Sequence, residues 1–377
     1  MGYFTTKFTL LMALATPQSI ASFASPRANA RRFAMKAVQS SSKNEVSSSS
    51  TTTMKHIKGI QSISASYDTF LLDMWGVMHN GSKPYEGVID TIRQLKTQGK
   101  KMIILSNSSK RVDNAKRMLK KLGFDESDFD QIITSGEISY RMLCGDDTLQ
   151  CSNWDVLTNL IQQEKKKVFV FGSGDGDEDY VESSGWSLAP IEEADLIIAR
   201  GTFTINSGDG SAVSKKDNED EYFNILNRSL AMAAERNVPM LVTNPDKVRP
   251  EKGLPPMPGA IGDSYAKVLG DASETLVKRI GKPYPEVYEL ALLGCEDSRT
   301  AVMIGDALET DVTGGTRFKC ATAWIVNDGV HSPFVSELGE GHFEKGTNMV
   351  LESFNNDKGY EGDDRLSPTY ISKHFRW

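Results

Sequence analysis

The stretch Phe70-Leu71-Leu72-Asp73-Met74-Trp75-Gly76-Val77 constrains the fold of this chain more than any other. A short apolar run delivers one carboxylate, and a glycine then lets the backbone turn away. A parallel strand buried on both faces ends in this way when its tip carries a functional group. Taken alone, an aspartate after an apolar run is equally well explained by capping of the next turn. Three further stretches add weight. Residues 101–105 form an apolar run that ends in Ser106, with Asn107 next. Gly281-Lys282-Pro283 sets a lysine ahead of a helical segment, and residues 301–305 lead into Asp306, with Asp311 five residues on. An aspartate, a hydroxyl, a lysine and an acidic pair on the strand ends of one sheet are the parts of a phosphoryl-transfer site. They supply a carboxylate to attack phosphorus, groups to hold the phosphoryl oxygens, and oxygen ligands for a hard cation.

In order, residue type and strand context, these stretches resemble the four motifs of the haloacid dehalogenase (HAD) superfamily. The pairing of Asp-x-x-Gly-Val at Asp73 with Leu-Ser-Asn-Ser-Ser-Lys at 105–110 is most similar to the class IIA branch, and Asp-x-Trp-Gly-Val resembles one subgroup of it. The similarity runs from about His56 to the C-terminal Trp377. The resemblance implies an α/β fold: a Rossmann-like core with a parallel sheet, plus an inserted α/β cap domain of the C2 type. It implies a Mg²⁺-dependent phosphohydrolase that acts on a small phosphorylated metabolite through an aspartyl-phosphate. Asp73 would be the nucleophile. Asp73, Asp306 and the main-chain oxygen of Trp75 would hold the metal, with Asp311 behind them. Ser106, with the amides around Asn107, would hold the phosphoryl oxygens, and Lys282 would neutralise Asp73 and the phosphoryl group together. Magnesium is favoured because the candidate ligands are all oxygen. Asn244 and Asp246, in Thr243-Asn-Pro-Asp246, resemble a cap segment that meets the substrate, and a homodimer through the cap is a family-level expectation.

One residue departs from the pattern. Most family phosphatases carry a second aspartate two residues after the nucleophile, where this chain has Trp75. Tryptophan has no acid/base function, since its indole N–H only donates. Loss of a general acid/base typically slows a reaction by about 10²–10⁴-fold. This leaves three readings. The substrate has a good leaving group that needs little protonation; or a surrogate serves, with His79 the nearest candidate; or the chain binds a phosphorylated metabolite as a sensor or scaffold with slow or no turnover.

The rest of the chain fits two domains after a leader. Residues 1–55 hold seven Lys or Arg against Glu45 alone, and combine an apolar stretch with a Ser-, Ala- and Arg-rich one. This is the composition of a targeting presequence. Ala21-Ser-Phe-Ala-Ser-Pro26 is similar to the junction of bipartite plastid presequences, with a mitochondrial leader as the alternative. The overall charge of -7 therefore places about -13 on the remainder, which disfavours nucleic acid as a partner. No apolar run reaches the roughly 18 residues of a membrane span, so the mature chain is expected to have no membrane partner. Cys144, Cys151, Cys295 and Cys320 lack metal spacing and read as reduced thiols.

Alternation of short strands with amphipathic helices predicts core segments at 56–137 and 274–345, a cap at 138–273, and a less regular tail at 346–377 packed on or near the core. Residues 207–221 read as a disordered polar loop. Gly172-Ser-Gly-Asp-Gly176 lacks full nucleotide-loop spacing and reads as a tight turn. Asp175, Asp177 and Asp179 begin like a calcium loop but lack its glycine and final glutamate.

Overall fold

A computed structural model describes residues 54–377, except 147, 148, 150–153, 165, 175, 207, 209–211 and 250–254. The expected leader lies outside the described residues, apart from Met54 and Lys55. The chain begins with strands β1 (Lys55–Ile57), β2 (Thr69–Leu72), β3 (Lys101–Ser106) and β4 (Gln131–Thr134). It then builds β5 (Lys167–Gly172), β6 (Ser187–Leu188), β7 (Leu196–Ala199), β8 (Thr204–Asn206), β9 (Ala212–Ser214), β10 (Met240–Val242) and β11 (Val277–Arg279). Strands β12 (Ala301–Gly305), β13 (Ala321–Ile325) and β14 (Tyr370–Ser372) complete the set.

The strands form two sheets. The first runs β1-β14-β13-β12-β2-β3-β4, with every pair parallel. Strands β2 and β12 are buried along their whole length, as expected when helices cover both faces. Side chains alternate across the sheet: Phe70, Leu72, Ile104 and Ile304 pack in one apolar layer, Leu71, Ile103 and Met303 in the other. The strand order fixes where a ligand can sit. From β2 the chain moves outward through β3 and β4, then later fills the other side through β12, β13 and β14. The reversal lies between β2 and β12, and in open α/β sheets ligands bind beyond the strand C-termini at such a switch point. The register pairs Leu72 with Ile304, so Asp73 and Asp306 emerge side by side.

The second sheet runs β11-β10-β7-β5-β8-β9, with β6 beside β5 and the β5-β8-β9 pairs antiparallel. It has its own apolar centre at Phe169, Ile197, Leu230 and Tyr265. Its other face joins the first sheet in one buried cluster that includes Leu71, Ile103, Val170, Ile198 and Tyr288.

Three boundary expectations are corrected. Strand β11 belongs to the second sheet, so the chain returns to the first only after Arg279, not at 274. The tail is regular: a helix spans Phe343–Lys358, and β14 lies between β1 and β13. Lys55, assigned to the leader, lies in β1. The polar segment 207–221 also contains β9 and the first turn of the helix Glu219–Glu235, capped by Asn218. Strands β1, β11 and β14 owe their order to pairing across the fold, which local composition does not encode, and the segment 207–221 owes its order to a hairpin and a helix cap.

The C-terminus is bound tightly to the first sheet. Ile60 N–H donates to Arg376 O at 2.7 Å, and Phe375 is fully buried with Phe70 and Ile325 in one apolar layer. Truncating Phe375 to Ala is expected to cost about 3–5 kcal/mol in denaturant unfolding. Leu293→Ala, at a side chain 74% exposed, should stay within about 0.5 kcal/mol of the parent.

Candidate active site

Asp73, Lys282, Asp306 and Asp311 meet beyond the C-terminal ends of β2 and β12. Asp73 N–H donates to Ile304 O at 2.9 Å, which extends the β2–β12 ladder by one residue and fixes the start of the turn. Gly76 then takes φ +86, and a Cβ there would lie 2.4 Å from Asp306 Oδ2. Glycine is thus required twice, for backbone conformation and for space. Gly305 and Gly329 make similar room: a Cβ at the first would meet Asp311 Cγ at 2.0 Å, and at the second Asp306 Cβ at 2.3 Å. Asp306 is aimed by the Val330 N–H, which donates to its Oδ2 at 2.8 Å, and by the Trp324 indole, which donates to its main-chain oxygen at 3.0 Å. Asp311 sits in a π-helical turn, Leu308–Val312, and its Oδ2 accepts the Ala307 N–H at 3.0 Å. Such turns cluster at functional sites because the wider loop displaces a side chain from helical register.

Lys282 is 2% exposed, with its Nζ 2.5 Å from Asp73 Oδ1 and 2.7 Å from Asp311 Oδ1. Burial works against the ammonium, but Asp311 and Asp73 hold its pKa above the ordinary lysine range. One ammonium faces three carboxylates, so the group is two positive charges short. The shortfall shows in the acids: burial, then the charges of Asp73 and Asp311, raise the Asp306 carboxyl well above the usual range. Burial also pushes Asp311 up to about 6 against the pull of Lys282.

This donor set fits a divalent cation. One oxygen each of Asp73, Asp306 and Asp311 lies within 4.8 Å of the others, and Gly76, Gly305 and Gly329 leave the room that Asp306 and Asp311 occupy. Three hard oxygen donors with uncompensated charge suit Mg²⁺ or a similar ion. Asp311, already bonded to Lys282 and to the Ala307 amide, is placed to support the other two rather than to lead.

The remaining predicted residues divide. Ser106 ends β3, half-buried, and its Oγ accepts the Ser108 N–H at 3.3 Å. Asn107 is in the site, but its side chain is already engaged. Its Oδ1 accepts the Lys282 N–H at 2.7 Å, and its Nδ2 donates to Lys282 O at 3.1 Å and to Asp246 Oδ1 at 2.8 Å. Asn244 Oδ1 accepts the Asp246 N–H at 2.8 Å in a local turn. Asn244 and Asp246 therefore build a joint between the sheets, and these bonds are not directed at a phosphate. Burial pushes the Asp246 carboxyl up to about 7, opposed by Lys282 and the Asn107 bond.

His79 is not placed as an acid/base. Its ring is fully buried in the flap after β2, its Nδ1 accepts the Gly81 N–H at 2.9 Å, and its Nε2 has no partner among the described residues. The ring centroid lies 5.9 Å from that of Trp75. Burial pulls its pKa down to about 4, so it stays neutral near pH 7. In the Gly-rich turn, Gly174 N–H donates to Asp177 Oδ2 at 2.8 Å and buried Arg200 pairs with Asp177, so this carboxylate is used structurally. Asp175 lies outside the described residues.

The loop after β13 has no role assigned from sequence, although Asn327-Asp-Gly marks a turn. It supplies Gly329 and Val330 to Asp306, and is itself tied down: the Tyr85 hydroxyl donates to Asp328 O at 3.0 Å, and His374 Nδ1 lies 2.7 Å from Asp328 Oδ2.

A family model for haloacid dehalogenase-like hydrolases matches residues 70–187, and a HAD-hydrolase-like model matches residues 279–355. The chain is 28% identical over 272 residues to a 4-nitrophenylphosphatase of Schizosaccharomyces pombe, covering 70% of this chain and 85% of that one. It is 25% identical over 271 residues to phosphoglycolate phosphatase 2 of Arabidopsis thaliana, covering 71% and 85%. Among solved structures, its fold is similar to a HAD-superfamily protein from Cytophaga hutchinsonii described as a possible sugar phosphatase. That match has a TM-score of 0.59 at 20% identity and covers 85% of this chain and 98% of the other. It is also similar to p-nitrophenyl phosphatase from Archaeoglobus fulgidus, with a TM-score of 0.53 at 21% identity, covering 82% and 97%.

The burial of neutral His79 predicts a pH signature. Between about pH 4 and the ordinary histidine value of 6.5, the unfolded chain binds a proton that the folded chain does not. The associated stability is complete above about 6.5 and is lost as pH falls towards 4. Over that window wild type should lose roughly 3 kcal/mol more than His79→Gln, measured by denaturant unfolding at a series of pH values. Using the difference between the two proteins cancels the opposite contributions of Asp246 and Asp311.

Proposed function

The chain belongs to the haloacid dehalogenase superfamily, among its class IIA hydrolases, and is an enzyme of the phosphatase type; from that premise we propose that Asp73 removes the phosphoryl group of a small phosphorylated metabolite with Mg²⁺ bound. The observation that carries this reading is Asp73 itself. Its carboxylate stands at the switch point, oriented by a buried lysine 2.5 Å away, within an acidic group two positive charges short. A carboxylate used only for structure does not need such surroundings.

Asp73, the main-chain carbonyl of Trp75, and Asp306 would hold the ion, and Asp311 would support them. Bound there, Mg²⁺ would neutralise the phosphoryl oxygens so that an anion can approach phosphorus. One Asp73 oxygen attacks phosphorus, the bond to the leaving oxygen breaks, and that oxygen departs with the electron pair. Lys282 stabilises the aspartyl-phosphate, and Ser106 holds a phosphoryl oxygen. Water then attacks phosphorus, releasing inorganic phosphate and restoring the Asp73 carboxylate. Trp75 offers no proton to the leaving oxygen, and His79 is neutral and buried away from solvent. The substrates that suit the site are therefore esters or anhydrides whose leaving oxygen is stable as an anion. The 4-nitrophenyl ester named for one relative is of this kind. The same tryptophan favours a second reading, a weakly active or inactive protein that binds a phosphorylated metabolite as a sensor or scaffold. The composition of residues 1–55 supports delivery to a plastid, with the mitochondrion as alternative.

Phosphate release should be followed with and without Mg²⁺ on 4-nitrophenyl phosphate, acetyl phosphate, phosphoglycolate and sugar phosphates. Turnover is expected to require Mg²⁺, to favour the nitrophenyl and acyl substrates, and to fall by at least about 10³-fold in Asp73→Asn. Silence in wild type with activity appearing in Trp75→Asp would instead identify a binding protein with an intact pocket.

A further inference from the structure

We propose that Asp246 is a positioning residue: the second sheet uses it, through Asn107, to hold Lys282 against Asp73, so that the lysine is fully placed only when the cap loop is docked. The catalytic meaning of this coupling rests on the phosphatase reading above, whereas the coupling itself does not.

Asn107 carries the connection. One side-chain amide bonds both main-chain groups of Lys282 and the carboxylate of Asp246, the latter 139 residues away in sequence. The amide has one orientation that satisfies all three. Rotated by 180°, it would set its NH₂ against the Lys282 N–H and its oxygen against a carboxylate, both mismatched. Asp246 therefore selects the orientation in which Asn107 can accept the Lys282 N–H. With the Asp246 carboxyl ionised this bond is charge-assisted, a class among the stronger protein hydrogen bonds.

Asp246 is itself held rigidly from the cap side. Its N–H is taken by Asn244, and its carbonyl accepts the Gly259 N–H at 3.0 Å, at the start of the helix Pro258–Leu269. A Cβ at Gly259 would come 2.1 Å from Pro245 O, so the helix can approach the loop only where it carries glycine. Gly281 is equally confined on the core side: its φ is +124, and a Cβ would meet Asn107 Oδ1 at 2.5 Å and Pro245 Cδ at 2.8 Å. The Asn107 amide thus ties Lys282 on the core side to Asp246 on the cap side, and Gly259 in turn holds the Asp246 loop. The Nζ of Lys282, fixed at the other end, is what Asp73 and Asp311 share. A shift of the cap loop is transmitted to the nucleophile by this route.

The test uses the full chain as wild type, Asp246→Ala, Asp246→Asn, Asn107→Ala and the Asp246→Ala/Asn107→Ala double variant. Backbone hydrogen exchange at Lys282 is read by mass spectrometry, and kcat and KM are measured on 4-nitrophenyl phosphate. In Asp246→Ala, Lys282 should exchange at least about tenfold faster, and kcat should fall by at least about tenfold with a smaller change in KM. Asp246→Asn keeps an acceptor oxygen and should recover most of both. The double variant should be no worse than Asn107→Ala alone, since the effect passes through that residue. Unchanged exchange in Asp246→Ala, or kcat losses that multiply in the double variant, would overturn the proposal. Faster exchange with wild-type kcat would likewise overturn the catalytic coupling. If wild type itself has no turnover, the phosphatase reading fails, and the exchange measurement alone decides whether the lock exists.

Discussion

The contact on which the site depends is the Lys282 ammonium held between Asp73 and Asp311. A buried cation is expensive unless it is paired, and so is a buried carboxylate. Here each is the condition for the other, yet the balance is incomplete, because Asp306 adds a third carboxylate without a second ammonium. A structure built only for stability would have no reason to leave charge uncompensated next to a buried lysine. The imbalance is tolerable if something of opposite charge enters from outside, and a divalent ion meets that description. Asp306 with its raised pKa and Lys282 with its own are two views of the same unfinished charge balance.

Holding three carboxylates so close requires backbone with no side chains in the way. Gly76, Gly305 and Gly329 come from three different strand ends, and each leaves a gap that one aspartate fills. Side-chain freedom is removed as well: the Val330 N–H and the Ala307 N–H each hold one carboxylate oxygen. The loop that carries Val330 is in turn tied to Tyr85 and His374, so the aim of Asp306 depends on segments that follow β2 and β14. Preorganisation of this kind costs stability where it is installed and is offset by the apolar layers on either side of the sheet.

How much of this is legible in the sequence depends on the range of the interactions. Asp73, Ser106, Asp306 and Asp311 each end or follow a strand whose apolar run is continuous in sequence, and Lys282 stands between a glycine and a proline ahead of a helix, so local pattern locates them. Strand β14 has three residues and no apolar run, and it exists because β1 and β13 leave a place between them. The direction of the Asn107 amide depends on Asp246, far away in the chain, and local sequence carries no signal of that pairing. The family resemblance points Asn107, Asn244 and Asp246 towards the substrate, while the side-chain hydrogen bonds they make run within a joint between the sheets. His79 is a reasonable candidate as the nearest histidine to Asp73 in sequence, and its burial, which counts against that role, has no local sequence signal.

Trp75 shows how one position can serve the site through its backbone and the fold through its side chain. Its backbone lies in a turn dictated by the positive φ of Gly76, so its carbonyl is set by the chain path and not by the indole. The metal-ligand role proposed for this carbonyl and acid/base function are therefore separable: the first would not depend on the side chain, and the second needs an ionisable side chain. The indole has its own partners. A Cβ at Gly81 would lie 2.8 Å from Trp75 Cη2, and the neutral His79 ring is adjacent. The tryptophan thus helps pack the flap that comes after the nucleophile. Replacing it with aspartate would restore a proton donor while removing that packing, and a neutral, buried His79 would gain a carboxylate neighbour. Since an adjacent anion favours imidazolium, the flap would then become sensitive to pH in the range where it is now inert. The absence of an acid/base group at this position and the packing of the flap are thus carried by the same side chain.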